Sequence, residues 1–194
     1  INYNFGERLG SLEGFVYADT DGDCDFDAGE PAIAGVTVRL VDQNGNTRTA
    51  TTDVNGRYRF TDLAPGSYTV VEEQPADYFH AGQHVGRDQR GLEGSGDASQ
   101  ANVISGIRVN GGSTHLRDYN FCEHLGSISG YVYHDVDNDG QREANEDGIG
   151  NAILTLYDGT GPVATTTSGA NGFYRFDGLT PGRYRVVETQ PAGW

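Results

Sequence analysis

Residues 1–78 and 117–194 are two copies of one pattern: at an offset of 116 positions they align without a gap, and 36 of the 78 pairs are identical. Gly10-Ser-Leu-Glu-Gly14 matches Gly126-Ser-Ile-Ser-Gly130, and Asn55-Gly-Arg-Tyr-Arg-Phe60 matches Asn171-Gly-Phe-Tyr-Arg-Phe176. Self-similarity at a fixed period is the signature of a repeat architecture. The chain therefore reads as a window on a tandem array. Residues 1–9 are the expected last strand of a preceding unit plus its linker, 10–125 one complete unit, and 126–194 the N-terminal part of the next.

The most specific element inside the repeat is a twelve-residue acidic stretch. The second copy reads Asp135-Val-Asp137-Asn-Asp139-Gly140-Gln141-Arg-Glu143-Ala-Asn-Glu146. Asp at positions 1, 3 and 5, Gly at 6, a carboxylate at 9 and Glu at 12 is the ligand spacing of an EF-hand calcium loop. Calcium takes six to eight oxygens at about 2.3–2.6 Å, which short carboxylates alternating along a curled loop can supply. Gln141, at position 7, would offer its backbone carbonyl. The first copy carries Asp19, Asp21, Asp23, Asp25, Asp27 and Glu30, and has Cys24 where the loop Gly is expected. The stretches before and after both loops are β-branched and aromatic with partial alternation, so they are predicted strands. The site is EF-hand-like in spacing but lacks the flanking helices, which favours a structural staple over a sensor.

Seven strands are predicted in the complete unit, at about 11–18, 35–42, 47–53, 57–61, 67–73, 102–109 and 114–121. Asn44-Gly45-Asn46, Asn55-Gly56 and Asn110-Gly111-Gly112 have hairpin chemistry, and Pro65-Gly66 marks a turn. Val36, Val38, Leu40, Tyr58, Phe60, Leu63, Tyr68, Val70, Ile104, Ile107, Tyr119 and Phe121 are the expected core. Short antiparallel strands with frequent turns indicate an all-β, tandem Greek-key β-sandwich, Ig-like or transthyretin-like. The polar, Gly-rich stretch 74–101 reads as a surface excursion.

The formal net charge of −15 argues against nucleic acid and anionic membrane as partners. All 13 basic residues are arginine, and there is no methionine. With no signal peptide or long apolar run, an internal piece of a longer exported precursor is expected, with no membrane insertion in this segment. Cys24 and Cys122 each stand where the neighbouring copy has Gly. An oxidising exterior would permit a disulfide between them; two free thiols, or a bridge to another chain, are the alternatives. His80 and His84 have a metal-compatible spacing but lie in the Gly-rich stretch, so solvated histidines are expected. Glu72 and Glu188 are expected to be strand-end carboxylates hydrogen-bonded to backbone. No nucleophile-elbow or triad order stands out, so no enzyme and no catalytic residue is expected.

With these residues in view, the chain resembles the SdrD B-like, or Cna B-type, repeats of bacterial surface proteins. The likeness rests on the Asp-x-Asp-x-Asp loop followed by Glu30-Pro-Ala-Ile-Ala-Gly-Val-Thr-Val38. It rests too on Asp53-x-Asn55-Gly-x-Tyr58-x-Phe60-x-x-Leu63-x-Pro65-Gly-x-Tyr68-x-Val70-x-Glu72. The resemblance implies an extracellular, Ca2+-stabilised stalk or fibre segment, flanked by neighbouring repeats of the same array. Cna B-type modules often carry a Lys–Asn crosslink promoted by an acid where Glu72 and Glu188 stand. Without lysine that crosslink cannot form within this chain, and calcium would supply the stiffness. The alternatives are a ligand-binding adhesin module, or a filament of chain copies in which Tyr3–Phe5 of one completes the sheet of another.

Overall fold

The computed structural model describes residues 8–111, 114–191 and 193. It is all-β, and the chain divides between His124 and Leu125 into two compact units. The predicted strand at Tyr3–Phe5 lies outside the described residues, as does part of the turn at Gly111-Gly112. Among the described residues no helix is long and apolar enough to cross a membrane.

Unit one contains β1 (Gly10–Ala18), β2 (Thr37–Asp42), β3 (Thr47–Thr51), β4 (Arg57–Leu63), β5 (Gly66–Glu72) and β6 (Phe79–His84). It continues with β7 (Arg87–Asp88), β8 (Asp97–Gln100), β9 (Val103–Val109), β10 (His115–Arg117) and β11 (Asn120–His124). One sheet runs β6-β11-β1-β10-β7 with β4 also bonded to β1, and the other runs β3-β2-β5-β9-β8. Side chains alternate across a strand, so Leu12, Val16, Tyr58, Phe60 and Phe121 of the first sheet meet Val38, Leu40, Val70, Ile104 and Ile107 of the second in one buried core. The expected core residues are all part of it.

Three expectations are corrected. The pairing is not wholly antiparallel: β1 runs parallel to β10 (Ser11 with His115) and to β11 (Tyr17 with Cys122). The single strand expected at 114–121 is two strands, because Asp118 takes a left-handed φ of 61° and breaks the ladder. The break lays the Tyr119 carbonyl on Gly14, where a Cβ would stand 1.8 Å from that oxygen, and the buried Tyr58 hydroxyl donates to it at 2.6 Å. The stretch 74–101 is more than an excursion. It supplies β6, β7 and β8, and β6 pairs with β11 along the sheet edge. Their pairing is carried by backbone groups rather than by an apolar face, so no alternation marks them.

Unit two contains β12 (Gly126–Tyr131), β13 (Ile153–Tyr157), β14 (Pro162–Thr167), β15 (Phe173–Leu179) and β16 (Arg185–Thr189). It repeats the first five strands in the same register: Leu12 faces Phe60 in β1–β4, and Ile128 faces Phe176 in β12–β15. Val132, Ile149, Ala152, Leu154, Leu156 and Phe176 form its core.

Candidate metal centres

Each acidic stretch leaves its unit just after the first strand and returns through a narrow neck. In unit one Tyr17 and Ala32 form an isolated bridge, and Ala18 N–H donates to Pro31 O at 2.8 Å. In unit two the bridge is Tyr133 with Gly148, and His134 N–H donates to Asp147 O at 3.0 Å. The apolar residue beyond each loop, Ile33 or Ile149, is buried in its unit's core and anchors the exit.

Within the neck the loop's own N–H groups fix its carboxylates, and they do so in nearly the same way twice, with one donor to position 1 coming from position 4 in the first loop and position 5 in the second. The position-1 carboxylate accepts two bonds: Asp19 from Gly22 (2.7 Å) and Cys24 (3.0 Å), Asp135 from Asp139 (3.2 Å) and Gly140 (3.0 Å). The position-12 carboxylate accepts from positions 2 and 9: Glu30 from Thr20 (2.9 Å) and Asp27 (3.0 Å), Glu146 from Val136 (2.8 Å) and Glu143 (3.1 Å). Asp23 and Asp139, at position 5, accept from position 7 at 2.8 and 2.7 Å. The curl requires left-handed backbone at positions 4 and 6: Gly22 and Cys24 have φ of 88° and 59°, Asn138 and Gly140 of 63° and 75°. Cys24 thus adopts a conformation that favours glycine.

The consequence is convergence. Single oxygens of Asp19, Asp21 and Glu30 lie within 4.8 Å of one another, as do those of Asp21, Asp23 and Asp27. Asp135, Asp137 and Glu146, and then Asp137, Asp139 and Glu143, repeat the two triads in the second loop. Two oxygens on one calcium ion stand at most about 5.2 Å apart, so every triad has the span of a shared cation. Among the described residues no arginine lies within ion-pair distance of these carboxylates. The crowding is felt locally. Burial and then the Asp23 charge raise the Asp21 carboxyl, and burial and then Asp139 raise that of Glu143. The Tyr17 hydroxyl beside the first loop is buried without a hydrogen-bond partner, and burial and then Glu30 push it well above the ordinary tyrosine value. An all-carboxylate donor set, pre-arranged by backbone and, among the described residues, with no arginine at ion-pair distance, fits a hard divalent cation.

Position 7 contributes no side chain to these triads. The Asp25 carboxylate turns instead to His84 Nδ1, 3.6 Å away, and the Gln141 amide donates to Asp139 Oδ2 at 3.1 Å. Cys24 and Cys122 are joined in a disulfide with a Cα separation of 5.6 Å, which clamps position 6 of the first loop to β11. Asp53 and Asp42 hold turns, accepting from Asn55 and Arg57 and from Asn44 and Asn46 respectively. Glu188 is exposed. Glu72 departs from expectation: its carboxylate makes no hydrogen bond to the backbone, and both its side-chain oxygens are buried without a partner. His80 is not simply solvated either, because its Nδ1 is buried and unpartnered.

The SdrD B-like domain model matches residues 10–116 and 126–194. Serine-aspartate repeat-containing protein E of Staphylococcus aureus (strain USA300) is 35% identical over 193 residues, covering 98% of this chain and 16% of that protein. Serine-aspartate repeat-containing protein D (strain MW2) is 35% identical over 202 residues, covering 100% of this chain and 14% of that protein. The chain therefore spans about a sixth of the length of these relatives. Among solved structures, the Bacillus anthracis TIE protein aligns over 96% of this chain and 29% of its own, with a TM-score of 0.46 and 21% identity.

Proposed function

The chain belongs to the SdrD B-like domain family, and from that premise we propose that it is a non-catalytic, calcium-stabilised structural repeat. It serves as a rigid stalk or fibre segment of an extracellular bacterial surface protein, with neighbouring repeats as its partners. The observation that carries this reading is the duplicated loop geometry: the same positions converge in both units, held by the same backbone donors.

Like charges about 4 Å apart repel by on the order of 1 kcal/mol even in water, so each loop without a cation strains against its own hydrogen bonds. Bound calcium would supply the positive charge and the coordination that turn this repulsion into attraction. The neck bridges and the position-12 glutamates then transmit the ordering of the loop to the strands on either side. Extracellular modules commonly bind with Kd of about 10⁻⁴–10⁻³ M, so such sites fill outside the cell and empty inside it.

At a free calcium concentration ten times Kd, each site adds about 1.4 kcal/mol, or roughly 6 °C in melting temperature for a domain of this size. Calorimetry in calcium and in excess EGTA tests this, with Glu30→Gln and Glu146→Gln silencing one loop at a time. The expected result is a chelation-dependent fall that each variant reduces. Superimposable melting curves with and without chelator would overturn the proposal.

A further inference from the structure

A second constellation of ligand-type side chains lies inside unit one, away from the acidic loops. Glu72 continues the core-facing alternation of Tyr68 and Val70 on β5, and Glu123 continues that of Phe121 on β11. Both are buried, at 3% and 0% exposure. His80 reaches them through an irregularity in β6. Gly82 pairs with Cys122 and His80 with Glu123, so Ala81 is the extra residue of a bulge. The bulge sends the two histidines of β6 to different tasks. His84 faces Asp25 of the first loop, whereas His80 Nδ1 stands 3.8 Å from Glu123 Oε1.

Single ligand atoms of Glu72, His80 and Glu123 lie within 4.8 Å of one another. Both Glu72 oxygens, Glu123 Oε1 and His80 Nδ1 are buried without a hydrogen-bond partner. The remaining oxygen of Glu123 accepts from the Gln74 side-chain amide, and Gln74 in turn accepts from Asn102 Nδ2 at 3.1 Å. This is the outer-shell support that orients a ligating carboxylate. Two carboxylates facing one another out of water, with no arginine beside them among the described residues, leave a charge deficit that one cation would fill. A nitrogen among the donors separates this set from the all-oxygen loops and selects a borderline metal such as zinc. Donors of one tetrahedral zinc stand roughly 3.3–3.6 Å apart, close to the His80–Glu123 separation of 3.8 Å.

We propose that Glu72, His80 and Glu123 form a buried zinc-class metal site that ties the two sheets of unit one together. Glu72 reaches the ion from the β5 sheet, and His80 and Glu123 reach it from the β6–β11 sheet. The His80 side chain, 25% exposed, forms the entrance, and the fourth position is left to water.

Isothermal titration of the whole chain with zinc, in calcium sufficient to saturate the loops, tests the assignment. Cobalt absorption between about 500 and 650 nm reports nitrogen–oxygen coordination. One zinc per chain is expected, with a rise in melting temperature. Binding should weaken at least tenfold in His80→Ala and in Glu72→Gln, and should survive in Glu30→Gln and Glu146→Gln. Since Glu72→Gln puts a neutral isostere where burial already favours the neutral carboxyl and His80 is partly exposed, at least one of the two first variants is expected to fold, which its melting curve checks. Zinc binding that saturating calcium abolishes would place the metal on the loops and overturn the proposal. So would binding unaffected by both variants, or no binding in calcium.

Discussion

The disulfide from Cys24 to Cys122 gives the sharpest stability prediction. It closes a loop of 98 residues, and in the chain-entropy description a crosslink of that span restricts the unfolded chain by about 4.7 kcal/mol. Against this stands the backbone at Cys24, whose φ of 59° costs a residue with a Cβ about 1 kcal/mol relative to glycine. The paired variant Cys24→Gly, Cys122→Ala loses the first term and recovers the second, so unit one should lose about 4 kcal/mol. With an unfolding entropy of about 2.1 cal/mol/K per residue, that is roughly 15 °C. Scanning calorimetry in saturating calcium would read the shift in the transition of unit one, with the transition of unit two as an internal control. A further variant separates the terms. Cys24→Gly alone should melt, under reducing conditions, about 1 kcal/mol above the reduced wild type, because it gives position 6 the residue that Gly140 supplies in the second loop. A paired variant within about 4 °C of the oxidised wild type would refute the argument that this bridge limits the unfolded chain.

Three other outcomes follow from single contacts. Gly14→Ala would place a Cβ 1.8 Å from the Tyr119 carbonyl and should cost about 3 kcal/mol or more. Gly106→Ala, with φ of 69° but no atom within 4 Å, should cost only about 1 kcal/mol; equal urea midpoints would contradict this. In chelator, burial and then the neighbouring Glu123 charge raise the Glu72 carboxyl from 4.5 to about 9, so between those values the folded chain binds the proton that the unfolded chain releases. Its stabilising contribution is complete below pH 4.5 and is lost as pH rises toward 9. The stability difference between wild type and Glu72→Gln, both in EDTA, should therefore move against wild type across that window, and a flat difference would count against it. Glu13→Ala removes contacts to Arg57 and Arg59 at 2.5 and 3.4 Å. Those groups are partly exposed, so the loss should stay below about 1 kcal/mol and shrink in salt.

What was legible in the sequence was whatever a residue type marks directly. The acidic positions stand out by their spacing, which matches a calcium loop, and carboxylate oxygens from positions 1, 3, 5, 9 and 12 converge in both loops. Position 7 could not be resolved from residue type, because the calcium-loop pattern asks only for its backbone carbonyl, and Asp25 is free to face His84. The strands that bury an apolar face, such as β2 and β5, were readable from alternation. β6 and β8 were not, since they pair by backbone while exposing polar side chains, and alternation says nothing of direction, which hid the parallel contact of β1 with β11. The break at Asp118 depends on a close approach to Gly14, a distant residue in sequence. The Glu72–Glu123 pair did leave a trace. Each occupies the next core-facing position after an apolar residue, in Val70-x-Glu72 and in Phe121-x-Glu123, although the same phase in Val186-x-Glu188 leaves Glu188 exposed.

On the proposed calcium reading, the arrangement of charge would make the fold depend on its medium. Arginines are present, but they are spent on other acids: Arg57 and Arg59 on Glu13, Arg87 on Asp118, Arg90 on Asp88, Arg175 on Asp177. Had they been placed beside the loop carboxylates, internal ion pairs would neutralise the loops and stability would hardly vary with cation concentration. With no arginine at ion-pair distance from the loop carboxylates among the described residues, the proposed calcium sites would make folding free energy a function of the surroundings through RT ln(1 + [L]/Kd) for each site. Because the same loop recurs in each unit, that dependence accumulates along an array while each unit keeps its own transition. If the proposed sites bind calcium, an array built this way would be weak at low cation concentration and strong at high concentration. A graded set of melting curves across calcium concentration should therefore show both units shifting together, with unit one offset by its disulfide at every concentration.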